Sequence, residues 1–380
     1  MELIPYTEAH RIFRDSFRKF LQKEIVPNIE QWEEAGIVPR EAWTKMGREG
    51  FLCTGVPEQY GGAGADFLHG VIIVEELARC NFSGLGIRLH SDVVVPYLLD
   101  YASEEQKLKY LPGCVSGEII TAIGMSEPGT GSDLAAIRTT AVEQGDSFVI
   151  NGQKTFISNG INCDLIVLAA RDPAEPDPHR AVDLFLVEAG TPGFKKGNRL
   201  KKVGWRAQDT AELFFTDCRV PRENRLGDKG TGFRKMMGHL QPERLVIAVW
   251  AVAAAEFMLK ETIEYVKTRQ VFGKPLSSYQ NTQFEIVEMA TEVRLGRTHI
   301  DKLIMEHMAG ENVVTDVSMA KYWTTEMAFR VADRCLQLFG GYGYCEEYPI
   351  ARAWRDIRVN RILGGTNEIM KIVIARNLGL

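Results

Sequence analysis

The hydrophobic period changes twice along this chain, and that change limits the folds it can adopt. Residues 1–118 and 229–380 carry apolar side chains at helical spacing, whereas residues 119–228 contain short runs typical of strands. The predicted strands are 119–123, 147–150, 165–169, 182–187 and 212–215. The predicted turns are Asn151-Gly152, Asn159-Gly160 and Pro192-Gly193. We therefore predict an α+β protein with an N-terminal α-helical domain, a middle antiparallel β-barrel or sandwich and a C-terminal four-helix bundle.

The charge balance and the cysteine pattern exclude several classes of protein. The net charge is −5 and no run of five Lys or Arg residues occurs, which argues against nucleic acid and anionic membranes as partners. No apolar run approaches the ~20 residues that span a bilayer, and the first residues do not resemble a signal peptide. Seven cysteines without a CxxC pair, and histidines without HExxH, predict reduced thiols and no metal site.

Glu243 stands just before the longest apolar run of the chain, residues 245–255. The helix formers in that run predict a buried helix with Glu243 at its mouth. Burial would raise the carboxyl pKa from about 4.3 toward roughly 6–7, where glutamate is a useful general base. Local sequence alone leaves open a solvated Glu243 that pairs with Arg244 or His239.

Two segments of the middle domain offer groups that suit a flat cofactor. The loop 125–133 follows a strand and has two glycines, hydroxyl side chains and free backbone N–H groups that can donate to ring atoms or phosphates. Phe156 and Ser158 share one face of a strand, where an aromatic ring can stack on a flavin beside a hydroxyl donor. A plain turn and a core-packing Phe156 are the alternatives.

Three segments of the C-terminal domain carry groups suited to phosphates. Arg269 ends a helix, with Gln280 a short loop later, and its guanidinium can hold a pyrophosphate, although a surface arginine is the usual alternative. The glycines that follow residues 337–339 have no side chain, so a ligand can come close to the backbone there. Thr366 or Asn367 can cap the last helix, whose first N–H groups can take an anionic or carbonyl ligand.

These segments, in this order, resemble the acyl-CoA dehydrogenase family, and the likeness covers essentially the whole chain. The resemblance implies a homotetramer with one FAD per subunit and the α,β-desaturation of an acyl-CoA thioester to the trans-2-enoyl-CoA. A glutamate takes the α-proton, the β-hydrogen leaves as hydride to flavin N5, and electrons pass to electron-transferring flavoprotein. It also implies a bacterial cytoplasmic enzyme, or a mitochondrial matrix enzyme whose targeting peptide has been removed.

The resemblance assigns cofactor and substrate contacts residue by residue. The implied FAD contacts are Ile123, Met125, Ser126, Gly131, Ser132, Phe156, Ile157, Ser158, Arg269, Gln280, Gln337, Leu338, Gly340, Gly341, Thr366, Asn367 and Glu368. Among them, Arg269, Gln280 and the run 337–341 resemble residues that reach FAD across a subunit interface. The implied acyl-CoA contacts are Ser132, Gln241, Arg244, Gly364 and Gly365.

The family places its catalytic base at one of two positions. In most members the base is a glutamate at the position of Gly364, whereas in the long-chain and isovaleryl types it lies at the position of Glu243. This chain has a glycine at one position and a glutamate at the other, which leaves it with one base. We therefore predict Glu243 as the base. Motifs at 241–245, 207–215 and 364–370 resemble the long-chain type, although Arg234 replaces the tyrosine that this type has at a CoA contact.

Two other functions suit the same fold. A flavin acyl-CoA oxidase would pass electrons to O₂, but peroxisomal oxidases are much longer. A non-catalytic scaffold is disfavoured because Glu243 and the flavin set are both present. The acyl chain, expected to be medium, long or branched, depends on side chains around residues 90–98. His179 and Arg180, near the end of the exposed excursion at 172–179, are candidates for contact with the CoA phosphates.

Overall fold

The computed structural model describes residues 3–380 and has the expected order of a helical part, a β-sheet and a second helical part. The first two residues of the predicted 1–118 domain lie outside the described residues. The described N-terminal helices are α1 Glu8–Phe20, α2 Ile29–Ala35, α3 Arg40–Arg48, α4 Phe67–Arg79, α5 Val95–Tyr101 and α6 Glu104–Ser116. The predicted fold class is confirmed, whereas the domain boundaries at 118/119 and 228/229 stay predictions.

Local sequence explains where the N-terminal helices begin and where they widen. Thr7 caps α1, because its side-chain oxygen accepts a hydrogen bond from the backbone N–H of His10. Two π-helical turns, Leu21–Ile25 and Leu89–Val94, stand just before Pro27 and Pro96. A proline in a helix has no N–H to donate, and its ring clashes with the carbonyl four residues earlier. The wider π turn accommodates that ring, so each proline fixes the place where its helix changes geometry.

The middle domain is one curled sheet of seven strands in the order β1-β4-β2-β3-β7-β6, with β5 also paired to β4. The strands are β1 Thr121–Gly124, β2 Thr140–Gln144, β3 Ser147–Ile157, β4 Leu165–Arg171, β5 Val182–Glu188, β6 Phe194–Arg199 and β7 Ala211–Pro221, and a short helix, α7 Pro178–Ala181, precedes β5. Most pairs are antiparallel, as predicted, but β4 runs parallel to both β1 and β2. Strands β2 and β6 were not predicted from the sequence.

The predicted turn at Asn151-Gly152 is wrong, because both residues lie inside strand β3. The register of β3 against β7 shifts between Ile150 and Gly152, which marks a bulge. Gly152 packs against Thr139 so closely that a Cβ would lie 2.4 Å from the hydroxyl oxygen. This glycine therefore permits a close approach within a strand rather than a change of direction.

The C-terminal part is built around one long helix. Its helices are α8 Gly232–Thr268, α9 Gln280–Met308, α10 Val314–Phe339, α11 Pro349–Ile357 and α12 Asn367–Asn377. The run 245–255 is almost wholly buried, as predicted, but α8 has 37 residues and includes Pro242. Glu243 therefore lies inside a helix, and the prediction that it stands at a helix mouth is wrong. Among the described residues, no helix has both the length and the apolar character needed to cross a membrane.

Two cores and a buried ion network hold these parts together. The two helical parts share one hydrophobic core, which also includes residues of β4 and β5 such as Leu165 and Leu184, whereas a second core lies within the sheet. Glu75 on α4 is 3% exposed and accepts hydrogen bonds from Arg14 on α1 at 2.7 Å and from Arg297 on α9 at 2.6 Å. Arg297 also donates to Glu256 on α8 at 2.8 Å. Burial opposes ionisation of Glu75, but the surrounding arginines outweigh it and lower its pKa, so the carboxylate stays charged.

Candidate active site

A cavity of about 670 Å³ opens where the two helical parts meet the sheet. Its size is that of pockets that hold small molecules and cofactors. Twelve of the predicted contact residues line it: Ile123, Met125, Ser126, Gly131, Ser132, Phe156, Ile157, Ser158, Glu243, Arg244, Gly364 and Gly365. They come from five separate stretches of the chain, so the fold brings together groups that are far apart in sequence.

Glu243 lies in the wall of this cavity with little to stabilise its charge. The Tyr97 hydroxyl is 3.5 Å from Glu243 Oε1, at the limit of a hydrogen bond. Burial raises the pKa of the Glu243 carboxyl to about 8, although the Arg244 charge and the Tyr97 hydroxyl oppose the rise. The carboxyl therefore exchanges its proton near neutral pH, which suits a general base.

The two ion pairs considered for Glu243 do not form among the described residues. Arg244 directs its Nε toward the carbonyl oxygen of Gly364, 3.4 Å away. His239 stacks on the Tyr97 ring, with the ring centres 4.1 Å apart. Arg244 thus acts on Glu243 through its charge alone, and the carboxylate is left free on its cavity side.

A glycine turn faces Glu243 across the cavity wall. Gly364 and Gly365 have φ values of +65° and +89°, in the region that favours glycine. A Cβ at Gly364 would lie 2.4 Å from Cδ1 of Ile247, which stands one helical turn after Glu243. Position 364 and Glu243 therefore face the same space. Lys321 fixes the turn by donating to the Gly365 carbonyl oxygen at 2.7 Å.

The sheet side of the cavity presents an aromatic ring and free hydrogen-bond donors. Phe156 has a φ of +59° beside an irregular register of β3 against β7, and the residue is 69% exposed. This uncommon backbone conformation leaves the ring at the cavity surface, where a flat cofactor can stack on it. The Ser126 and Ser158 hydroxyls line the same wall and donate to no other described residue. These groups fit the flavin that the resemblance implies.

A buried ion pair anchors the loop 125–133. Lys154 Nζ lies 2.8 Å from Glu127 Oε1, and both side chains are buried. Glu127 also accepts hydrogen bonds from the backbone N–H groups of Arg138 at 2.6 Å and Thr139 at 2.9 Å. Burial lowers the Lys154 pKa to about 8, and Glu127 opposes that shift. The acidic end of the loop is therefore fixed, while its glycine end remains available to a ligand.

Ten predicted contact residues lie outside this cavity, and four of them have other contacts. The Gln241 amide donates to the His307 ring and the Glu311 carbonyl at 3.3 Å, so it links helices instead of lining the cavity. Thr366 caps α12, Asn367 is buried against Lys321 and Thr325, and Glu368 is exposed. Of the candidates for CoA phosphates, His179 lines the cavity, whereas Arg180 does not; nor does Arg234.

The other six form a group on the surface near the end of α8 and the start of α9. They are Arg269, Gln280, Gln337, Leu338, Gly340 and Gly341. The Arg269 guanidinium lies 5.3 Å from the Tyr342 ring centre, and the Tyr265 hydroxyl donates to the Phe339 carbonyl at 3.2 Å. Within a single chain these residues are therefore separate from the cavity, whereas the resemblance assigns them to a cofactor across a subunit interface.

Sequence reasoning missed Arg88 and Trp205, and it included Tyr97 only within the range 90–98 on which the acyl pocket was expected to depend. Arg88 and Trp205 line the cavity, and Tyr97 contacts Glu243. An arginine inside the otherwise apolar stretch 85–89 is the signal that could have marked Arg88. His90, which the sequence placed near the acyl pocket, is instead fully buried with both ring nitrogens hydrogen-bonded.

Among the described residues, one group has the ligand atoms for a metal ion. His10, Asp66 and His69 have such atoms within 4.8 Å of one another. Both rings hydrogen-bond to the Asp66 carboxylate, at 3.0 and 2.8 Å, which accounts for the cluster without an ion. The group joins α1 to the start of α4, and none of its members lines the cavity.

Comparison with protein families matches nearly the whole chain to one family. Residues 7–118 match the family model described as "Acyl-CoA dehydrogenase, N-terminal domain". Residues 122–218 match "Acyl-CoA dehydrogenase, middle domain", and residues 230–379 match "Acyl-CoA dehydrogenase, C-terminal domain".

Individual relatives agree with these matches. The chain is 46% identical to the mitochondrial long-chain specific acyl-CoA dehydrogenase of Sus scrofa, over 98% of this chain and 87% of that protein. The crystal structure of an acyl-CoA dehydrogenase from Geobacillus kaustophilus is 57% identical, with a TM-score of 0.98 over 99% of both chains. A glutaryl-CoA dehydrogenase from Mycobacterium smegmatis in complex with FADH2 is 29% identical, with a TM-score of 0.91 over 98% and 95% of the chains. This chain therefore belongs to the acyl-CoA dehydrogenase family of FAD-dependent oxidoreductases.

Proposed function

We propose that this protein desaturates a medium-chain, long-chain or branched acyl-CoA to the trans-2-enoyl-CoA, with Glu243 as the base that removes the α-proton. One observation carries the proposal: a carboxylate with a pKa raised to about 8 faces a cavity in which the alternative base position is Gly364. Bound FAD supplies the acceptor for the β-hydrogen and its electron pair. The two hydrogens removed thus leave as a proton on Glu243 and a hydride, and a carbon–carbon double bond remains.

The residues around Glu243 tune its proton affinity and leave room for the thioester. Arg244 keeps the pKa of Glu243 from rising further by its charge, so a fraction of the carboxyl is ionised at neutral pH. The Arg244 side chain and the Lys321 ammonium both bind the glycine turn at 364–365, which fixes the wall opposite the base. Gly364 has no side chain to fill the space that the substrate α-carbon needs beside Glu243.

Anaerobic mixing with acyl-CoA tests this function directly. We expect a substrate to bleach the absorbance of the bound flavin and to yield the enoyl-CoA in equal amount. A series of short, long and branched acyl-CoAs would identify the acyl group. If no acyl-CoA of any kind bleaches the flavin, the proposed activity is wrong, and rapid reoxidation of the bleached flavin by air would indicate an acyl-CoA oxidase.

We also propose electron-transferring flavoprotein as the partner that reoxidises the flavin. A desaturated product leaves two electrons on the enzyme, and an acceptor other than O₂ is required wherever O₂ reacts slowly. The setting that suits this activity is the bacterial cytoplasm, or the mitochondrial matrix if a targeting peptide has been removed. Steady-state turnover with purified electron-transferring flavoprotein, compared with turnover in air alone, distinguishes this partner from O₂.

The activity is expected to rise with pH as Glu243 loses its proton. A base acts only when it is deprotonated, so kcat/KM should fall about tenfold per pH unit below a pKa of about 8. Arg244→Met removes the charge that lowers this pKa, so the rise of kcat/KM with pH should move to higher pH. The profile of the FAD-loaded enzyme from about pH 6 to pH 10 measures both effects. Arg219→Met, at an exposed position on β7, is the control, and a profile that is flat below pH 8 would contradict the assignment.

A homotetramer is the assembly that we propose, with the surface group around Arg269 facing a neighbouring subunit. Helix α9 exposes Phe284 and Leu295, at 56% and 61%, on the same side as Val287. Phe272, close to Arg269 in sequence, is 94% exposed. Large apolar side chains clustered on a surface usually mark a protein interface. If this surface completes the cofactor site of a second subunit, assembly and FAD retention are coupled.

Charged substitutions on α9 test that coupling. We expect Phe284→Glu combined with Val287→Glu to break the tetramer and to lower the ratio of FAD to protein, because buried charges oppose association. Light scattering gives the mass, and flavin absorbance gives the FAD content. Leu108→Glu is a matched control, since Leu108 is 57% exposed on α6. A double variant that stays tetrameric with full FAD would show that α9 faces solvent in the assembly.

A further inference from the structure

Arg88 places a positive charge in the wall of the cavity, and no carboxylate within residues 3–380 is hydrogen-bonded to it. It lines the cavity between Leu85 and Leu89, and its guanidinium forms no hydrogen bond or ion pair with any described residue. It lies instead over two indole rings, 4.3 Å from the centre of Trp250 and 5.6 Å from that of Trp205. Burial lowers the pKa of Arg88 to about 10, so the side chain keeps its charge at neutral pH.

The surroundings of Arg88 have more donors than acceptors. The guanidinium has five N–H groups, and the buried indole N–H of Trp205 has no acceptor among the described residues. Asp92, one turn further along the chain, affects Arg88 only by its charge, and burial raises the Asp92 pKa to about 7. Buried donors and charges without partners are costly. An anionic group in this part of the cavity would satisfy them.

This part of the cavity is remote from the reacting carbon. Trp250 follows Glu243 by two turns on the same helix, which is about 10 Å along the helix axis. Val246 and Ile247 line the wall between them and are apolar. A group that reaches Arg88 must therefore be joined to the α-carbon by an apolar chain of intermediate length.

We propose that Arg88 binds the terminal carboxylate of an ω-carboxyacyl-CoA, so that this enzyme prefers dicarboxylic acyl thioesters to unsubstituted ones of equal length. The inference rests on the proposed function, because it takes Glu243 to mark the α-carbon. A carboxylate matches the guanidinium fork with two parallel hydrogen bonds. A methyl terminus would instead desolvate the guanidinium without giving it a partner.

Matched substrate pairs test this preference on the FAD-loaded enzyme. The pairs are hexanoyl- and adipoyl-CoA, octanoyl- and suberoyl-CoA, and decanoyl- and sebacoyl-CoA. At the best-fitting length we expect kcat/KM to favour the carboxylated member by roughly ten- to a hundredfold. Arg88→Met should abolish that preference, mainly through KM, because the contact is made equally in the ground state and the transition state. Arg88→Lys should retain part of it, and Arg219→Met should leave it unchanged.

The outcomes separate this inference from the proposed function. If the wild-type enzyme favours the unsubstituted member at every length, or if Arg88→Met leaves the ratio unchanged, the role of Arg88 is wrong while the dehydrogenase activity stands. If neither member of any pair bleaches the flavin, the proposed function itself fails. Loss of FAD from folded Arg88→Met protein would make Arg88 a cofactor contact and overturn the inference. If Arg88→Met does not fold, the test rests on the ratio of kcat/KM for the carboxylated and the unsubstituted substrate, measured in the wild type and in Arg88→Lys.

Discussion

Replacing Glu243 by glutamine is expected to lower kcat by about 10²- to 10⁴-fold, the usual contribution of a general base. Glutamine keeps the size of the side chain and can still accept from the Tyr97 hydroxyl, but it cannot take the α-proton. FAD content and acyl-CoA affinity should stay near those of the wild type. Stopped-flow bleaching of the flavin measures the chemical step, and Glu264→Gln, at an exposed position on the same helix, is the control. Bleaching at a near wild-type rate in Glu243→Gln would remove this residue from the mechanism.

The same substitution is also expected to change how the stability of the folded protein depends on pH. The folded-state pKa of Glu243 is about 8, above the ordinary value of 4.5. Between these pH values the folded protein holds a proton that the unfolded chain has released, so this group destabilises the fold progressively as pH rises. Glu243→Gln is therefore expected to have a higher Tm than the wild type at pH 8 and a similar one near pH 4.5. A lower Tm at pH 8 would mean that the variant has lost structure.

Arg297→Met is expected to destabilise the folded protein by up to about 3–5 kcal/mol, because it removes one of the cations that neutralise the buried Glu75 carboxylate. Arg297 joins Glu75 to Glu256 at distances of 2.6 and 2.8 Å, and Glu75 is almost fully enclosed. The midpoint of urea unfolding, measured with saturating FAD, reports the loss. Arg330→Met is the control, since its ion pair with Glu292 is largely exposed and should contribute at most about 1 kcal/mol.

The pH dependence of this difference follows from the Glu75 pKa. The arginines lower that pKa below its ordinary value, so their stabilising effect is present above the unfolded pKa and is lost as pH falls through the folded one. The difference in unfolding free energy between the wild type and Arg297→Met should therefore be largest at neutral pH and should shrink as the pH falls. Equal stability of Arg297→Met and Arg330→Met at neutral pH would show that the network does not hold the helical parts together.

Local rules predicted many features of this molecule because those features depend on neighbours in sequence. The short apolar runs of the middle domain become strands, and the run 245–255 lies in a buried stretch of helix. The pair Glu243 and Gly364 came from the family resemblance, and the structure places both residues at one cavity.

The errors arise where the surroundings override a local signal. Asn151-Gly152 has the composition of a turn, but it lies inside β3, where Gly152 packs closely against Thr139. Glu243 was expected at a helix mouth, yet α8 runs through Pro242 just before it. A proline there deprives the Gly238 carbonyl of its helical donor, and Gly238 is exposed, so water can replace that donor. Arg88 stands in an apolar stretch, and only the two indole rings that pack on it reveal where its charge lies.

The ion network of Glu75 also sets the order in which the molecule can be completed during its synthesis. Glu75 leaves the ribosome early, whereas its partner Arg297 follows 222 residues later, after the entire sheet. Until α9 emerges, the N-terminal helices have only part of their core and a carboxylate that lacks one of its cations. Strands β4 and β5 also pack residues such as Leu165 and Leu184 into that shared core, so part of the sheet waits for the same helices. The two ends of the chain therefore acquire their final structure together, after α9 has been made.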